Sequence, residues 1–125
     1  MKRTIIDTDE APKAIGPYSQ GIAVNGLVFT SGQIPVTVNG DIPEGIEAQA
    51  KQALRNLGAV LKSAGAGYGD VVKTTVFIKD LNDFAKFNEI YASFFNEPYP
   101  ARSCVEVSRL PKDVLIEIEA VAVRR

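Results

Sequence analysis

The sequence predicts an α+β domain in which two helices pack on one face of a mixed sheet. Three observations lead there. Apolar residues recur three or four apart between Asp41 and Ala64, the spacing of a helix that buries one side. The run Asp70–Asp80 is rich in β-branched residues and reads as a strand. The chain then closes with two segments, Arg102–Ser108 and Val114–Val123, in which residue types alternate with period two.

Each element has a local reason. Gly21–Ser31 carries Asn25-Gly26 between strand-forming residues, the strongest short-range hairpin signal a sequence offers. A second Asn-Gly at 39–40 follows Pro35-Val-Thr-Val38 and marks another turn, and the bracketed strand of the expected order lies before it. In the first helix, Ile46, Ala50, Ala53, Leu54, Leu57, Val60, Leu61 and Ala64 form the apolar stripe. Pro43 suits its first turn and Gly65 its C-terminal stop. Asn82 or Asp83 is placed to cap the second helix, whose stripe is Phe84, Phe87, Tyr91 and Phe94/Phe95, and Pro98 and Pro100 end it. The expected order is β-β-(β)-α-β-α-β-β in a single domain, 1–125.

Composition narrows the chemistry. The chain has 125 residues, 14 Lys+Arg against 15 Asp+Glu, one cysteine and no histidine. Without imidazole there is no Ser-His-Asp or Cys-His catalysis and no His-ligated metal site, and no cofactor is implied. A lone Cys104 forms no intrachain disulfide, which fits a reducing compartment. A net charge of −1 argues against a general nucleic-acid binder. The N-terminal segment has no apolar core, so no signal peptide is expected, and no stretch approaches the roughly 18 apolar residues that span a bilayer. A soluble, cytoplasmic protein is expected, without membrane partners.

Strand alternation sorts the last two strands into faces. Ile116, Ile118, Ala120 and Ala122 share one face, and Leu115, Glu117, Glu119, Val121 and Val123 the other. In the strand before, Ser103, Val105 and Val107 oppose Arg102, Cys104 and Glu106. If the more apolar sets face the helices, Arg102, Cys104 and the two glutamates gather on the far side of the sheet. Leu115, Val121 and Val123 on that same side make an apolar stripe that two helices cannot cover, so a partner subunit is expected over it.

Four blocks carry a resemblance. Ile15-Gly-Pro-Tyr-Ser-Gln-Gly21, Thr30-Ser-Gly-Gln-Ile-Pro35, Lys73-Thr-Thr-Val-Phe-Ile-Lys-Asp-Leu-Asn-Asp-Phe84 and Pro100-Ala-Arg-Ser-Cys-Val-Glu-Val-Ser-Arg-Leu-Pro-Lys-Asp113 occur in this order, followed by Ile116-Glu-Ile-Glu-Ala120. The sequence resembles the RidA (YjgF) family of reactive-intermediate deaminases from about Ala14 to the C-terminus. The resemblance implies a chorismate-mutase-like homotrimer with active sites between subunits. It implies hydrolysis of 2-aminoacrylate and 2-aminocrotonate, as enamine or imine, to pyruvate or 2-oxobutanoate and ammonia.

Roles carry over by position. Arg102 matches the anchor of the substrate carboxylate, a task for which a planar guanidinium offers two parallel bonds. Glu117 matches the acid that places water for attack on the imine carbon; Glu119, on the same face, is assigned a structural or salt-bridge role. Tyr18 matches an aromatic that lines the cleft from a neighbouring subunit, and Ser31 and Gly32 match a ligand-contacting loop. Asn88 matches a polar cleft residue. Cys104 matches a residue whose backbone groups meet ligand; a nucleophilic role is disfavoured because no histidine activates the thiol. The 96–100 connection is shorter than in some relatives and bears on side-chain preference. The alternative is a non-enzymatic trimer that holds 2-oxo acids or amino acids in the same cleft. A ribonuclease reading is weaker still, given no histidine and no basic excess.

Overall fold

The computed structural model describes residues 2–124. Their elements are β1 (Thr4–Ile6), β2 (Gly21–Val24), β3 (Leu27–Thr30), α1 (Ile46–Ser63), β4 (Val71–Ile78), α2 (Phe84–Phe94), β5 (Ala101–Glu106) and β6 (Ile116–Val123). The strands form one sheet in the order β1-β2-β3-β6-β4-β5. All neighbours run antiparallel except β4 and β5, which are parallel and joined through α2, so the sheet is mixed. The α+β expectation holds.

Local chemistry explains most boundaries. Asn25 and Gly26 take φ of 50° and 80° in the two-residue loop between β2 and β3, the positive pair that a tight hairpin turn demands. Helix α1 stops where expected. Gly65 turns at φ 80°, its N–H bonds Lys62 O, and the Ala66 N–H bonds Leu61 O, which satisfies the last carbonyls.

Three local expectations need correcting, and one strand was not foreseen. Pro43 lies outside α1, because Gln49 Nε2 donates to its carbonyl and Gly45 breaks the chain at φ 88°, so the helix begins at Ile46. Residues 35–38 form no strand: the Ile34 and Val36 carbonyls accept from Asn56 Nδ2 instead of from a neighbouring strand. Neither Asn82 nor Asp83 caps α2 through its side chain; Asp80 accepts from the Asn82 N–H and starts a short 3₁₀ turn before Phe84. Strand β1, not anticipated from the sequence, adds an edge along β2.

The core lies between the sheet and the two helices. From α1 it takes Ala50, Ala53, Leu54, Leu57, Val60 and Leu61, from α2 Phe87 and Tyr91, and from the sheet Val28, Val76, Ile78, Ile116, Ile118 and Ala122. The opposite face is open. Ile5, Leu27, Phe29, Val105 and Val123 stand exposed there, with Phe29 at 42%, beside half-buried Val121. An uncovered apolar stripe is therefore present, as alternation indicated. Leu115 is not part of it: it precedes β6 and packs against the core.

Candidate active site

Register decides which side chains can meet. Across β4 and β5, Thr74 pairs with Arg102 and Val76 with Cys104; across β4 and β6, Val76 pairs with Ile118 and Phe77 with Glu117. Directly paired residues share a face. Arg102 and Cys104 therefore stand on the helix face with the buried Thr74 and Val76. Glu117 and Glu119 stand on the open face with Phe77 and Thr75. The expectation that Arg102, Cys104 and the two glutamates gather on one side is wrong. The reason is that β5 is an edge strand with no buried residue, so its alternation carries no record of which way the core lies.

Arg102 lies under α2. Its Nη1 donates to Asn88 Oδ1 at 2.8 Å, and its guanidinium carbon lies 4.7 Å from the Tyr91 ring centroid and 5.3 Å from that of Phe84. With Asn88, Tyr91, Ala92, Tyr99 and Pro100 it lines a cavity of about 460 Å3. Cys104 follows on the same face and packs against the core. Burial pushes its thiol pKa up and the nearby Arg102 charge offsets only part of that, so the thiol is not tuned as a nucleophile.

Glu117 belongs to the other half. A Cβ built on Gly32 would overlap Glu117 Oε2 and come within 2.8 Å of its carboxyl carbon, so glycine is what lets backbone and carboxylate lie together. Burial, and secondarily the charge of Glu119, raise the Glu117 pKa above the ordinary glutamate value. Gly32 also lines a second cavity of about 320 Å3 with Tyr18, Gln20, Gln33, Ile34 and Lys112. Tyr18 is 52% exposed at its rim. Ser31 holds the loop, its Oγ donating to Ser19 O at 2.6 Å and its N–H to Gln20 O at 2.9 Å.

The seven expected residues thus fall into two sets, Arg102, Asn88 and Cys104 on one side of the sheet, and Glu117, Gly32, Ser31 and Tyr18 on the other. Sequence reasoning overlooked the contact of Phe84 and Tyr91 with Arg102, taking both as core, although their i, i+7 spacing with Asn88 between them was a visible signal. Tyr99 and Lys112 were missed too, and no periodicity marks them. Among the described residues, no group of three or more His, Cys, Asp or Glu side chains is placed to hold a metal ion.

Comparison with known proteins identifies the architecture. The family model described as Endoribonuclease L-PSP matches residues 8–124. The chain belongs to this family, the YjgF/RidA proteins. It is 57% identical over its whole length, and the whole length of the relative, to the 2-iminobutanoate/2-iminopropanoate deaminase of Escherichia coli K12. It is 58% identical, again end to end, to the protein of the same name from Salmonella typhimurium LT2. The crystal structure of E. coli TdcF with bound serine superposes with a TM-score of 0.93 at 56% identity, covering 98% of this chain and 99% of that one. RidA from the Antarctic bacterium Psychrobacter sp. PAMC 21119 superposes equally well at 42% identity, covering 96% and 98%. Two helices on a mixed six-stranded sheet are therefore the YjgF/RidA fold. No helix in the described residues is long and apolar enough to cross a membrane.

Proposed function

We propose that this protein is a 2-iminobutanoate/2-iminopropanoate deaminase, hydrolysing 2-aminoacrylate and 2-aminocrotonate, in their imine forms, to 2-oxo acids and ammonia. The observation that carries the reading is full-length identity of 57% to a deaminase of that name, in a chain with Arg102 and Glu117 at the positions the family resemblance marks. Arg102 grips the substrate carboxylate through paired N–H bonds. The protonated imine is already electrophilic at C2, so placement of water matters more than a strong base. Glu117 orients that water and takes its proton as the C–O bond forms. That proton passes to the nitrogen, and the C–N bond breaks as the new C2 hydroxyl becomes the carbonyl of the 2-oxo acid and gives its proton to the departing ammonia. A glutamate whose pKa is raised by burial suits this work, since a base is most useful when its pKa approaches the working pH.

The separation of Arg102 and Glu117 onto opposite faces supports a site assembled between chains. In the proposed homotrimer, the open sheet face is covered by neighbouring subunits and the two halves of the site come from different copies. The RNase reading finds less support: with no histidine and a net charge of −1, the chain lacks an imidazole acid–base pair and a basic excess for RNA.

A threonine dehydratase coupled to this protein, with semicarbazide competing for the imine, tests the reading. The deaminase is expected to divert imine from the trap into 2-oxobutanoate. An unchanged partition, alongside measurable binding of 2-oxobutanoate, would instead favour a small-ligand binding protein.

A further inference from the structure

Arg102 is held in place by its own chain. Phe84, Asn88 and Tyr91 stand at i, i+4 and i+7 along α2, one stripe of its surface, and all three meet the guanidinium. Tyr91 is in turn fixed. It is 5% exposed, its ring lies 4.5 Å from that of Phe95, and its hydroxyl shares a 2.8 Å hydrogen bond with Thr74 Oγ1. Thr74 is fully buried and is the residue paired with Arg102 across the β4–β5 ladder. A chain of contacts from hydroxyl to ring to guanidinium closes back on the strand pair that carries the arginine.

This arrangement suits a carboxylate grip. Ring faces attract the guanidinium without using any of its N–H groups. One N–H goes to Asn88, which leaves four of the five donors for other partners. A flexible arginine would lose rotamer freedom on binding, whereas a stacked one has lost it already. The geometry points to Tyr91 and Thr74 as positioning residues for the substrate-carboxylate anchor, with Tyr91 setting the plane of Arg102 and Thr74 setting the ring of Tyr91. This rests on the reading of Arg102 as that anchor. A purely structural Tyr91 would predict something else: fewer folded molecules, each binding normally.

Calorimetric titration with 2-oxobutanoate, the product acid, separates the two, alongside steady-state kinetics on variants whose folding is checked by circular dichroism. Tyr91→Leu is expected to weaken Kd on the order of ten-fold, as loss of a partly desolvated cation–π contact would. KM should rise with kcat nearly unchanged, because the grip is made in both ground and transition states. Thr74→Val should weaken Kd by about three-fold, Thr74→Ser should restore it, and Tyr91→Phe/Thr74→Val should be no worse than either single change, because both remove one bond. If Tyr91→Leu does not fold, Phe84→Leu carries the same test at a half-buried position. Wild-type Kd in Tyr91→Leu and Phe84→Leu, against a weakened Arg102→Lys, overturns the inference alone. An Arg102→Lys variant that binds as tightly as the wild type overturns the anchor reading and the inference with it.

Discussion

Two residues on the open face carry opposing demands. Burial raises the pKa of Glu117, and the charge of Glu119 adds to it, so the fold disfavours the ionised form that the proposed water-placing role requires. The linkage has a definite sign. A carboxyl whose folded-state pKa lies above its unfolded value holds more protons when folded, so its ionisation lowers stability as pH rises through that window. Glu117→Gln is expected to raise Tm at neutral pH, with the gain vanishing as pH falls toward the ordinary glutamate value of about 4.3. The same variant should bind 2-oxobutanoate yet lose most turnover. In the parent protein, kcat should fall on the acid side at a higher pH than an unperturbed glutamate gives; thermal melts and rate profiles across pH check both. Gly32 tests the same geometry from the other side. Gly32→Ala puts a methyl where the Glu117 carboxylate lies, and that carboxylate is the free end of a side chain, so it can move aside cheaply. The expected result is a folded protein with kcat reduced on the order of ten-fold, as a misplacement of about 1 Å can cost that or more. Unchanged kcat would separate Gly32 from the chemistry. Gly32 was legible as a loop residue from its motif, but that its missing side chain makes room for Glu117 belongs to the three-dimensional packing.

At the scale of elements, the strands and helices that bury a face were readable and those that do not were misread. The alternation of β6 located the core because Ile116, Ile118, Ala120 and Ala122 are buried; β5 buries none of its residues, and the same rule assigned its faces backwards. What sets Arg102 inward is α2 lying over the edge of the sheet, a tertiary fact absent from the local pattern. The long segment between β3 and α1 failed for a related reason. Its hydrogen-bond partners lie on a helix about twenty residues away. Asn56, 2% exposed, donates to the Ile34 and Val36 carbonyls at 3.0 and 2.9 Å and accepts from Gln52, while Gln49 holds the Pro43 carbonyl and the Leu115 N–H. Asn56→Leu would strip the buried Val36 carbonyl of its donor, while the Ile34 carbonyl would keep the Val36 N–H at 2.8 Å. A destabilisation of about 1–3 kcal/mol follows from that one orphaned group, and urea unfolding would measure it. A loss below about 0.5 kcal/mol would show that α1 does not hold this segment.

For the whole molecule, the open apolar face and the divided site lead to one expectation. A chain that exposes Ile5, Leu27, Phe29, Val105 and Val123 on one sheet face, while placing its arginine and its glutamate on opposite faces, fits the proposed trimer, in which neighbours cover that face and join the two halves of the site. Mass alone tests half of this: light scattering should report three times the 13.5 kDa of one chain. Subunit mixing tests the rest. Assayed with substrate well below the parent KM, Arg102→Lys and Glu117→Gln should each be nearly inactive as homotrimers, the first through weakened binding and the second through lost turnover. If Arg102 and Glu117 of one chain served the same site, unfolding and refolding the two variants together would yield no intact site. If each site draws its arginine from one chain and its glutamate from the next, a mixed trimer regains a site wherever a Glu117→Gln subunit offers Arg102 to an Arg102→Lys subunit that offers Glu117. With equal amounts and random assembly, one neighbouring pair in four is so arranged, and activity should return to about a quarter of the parent value, as site energetics that do not interact would give. Mixing folded homotrimers without unfolding should restore nothing until subunits exchange. Activity that stays at the single-variant level after co-refolding would place both residues in one chain's site, and the opposite-face register would then have to change on assembly.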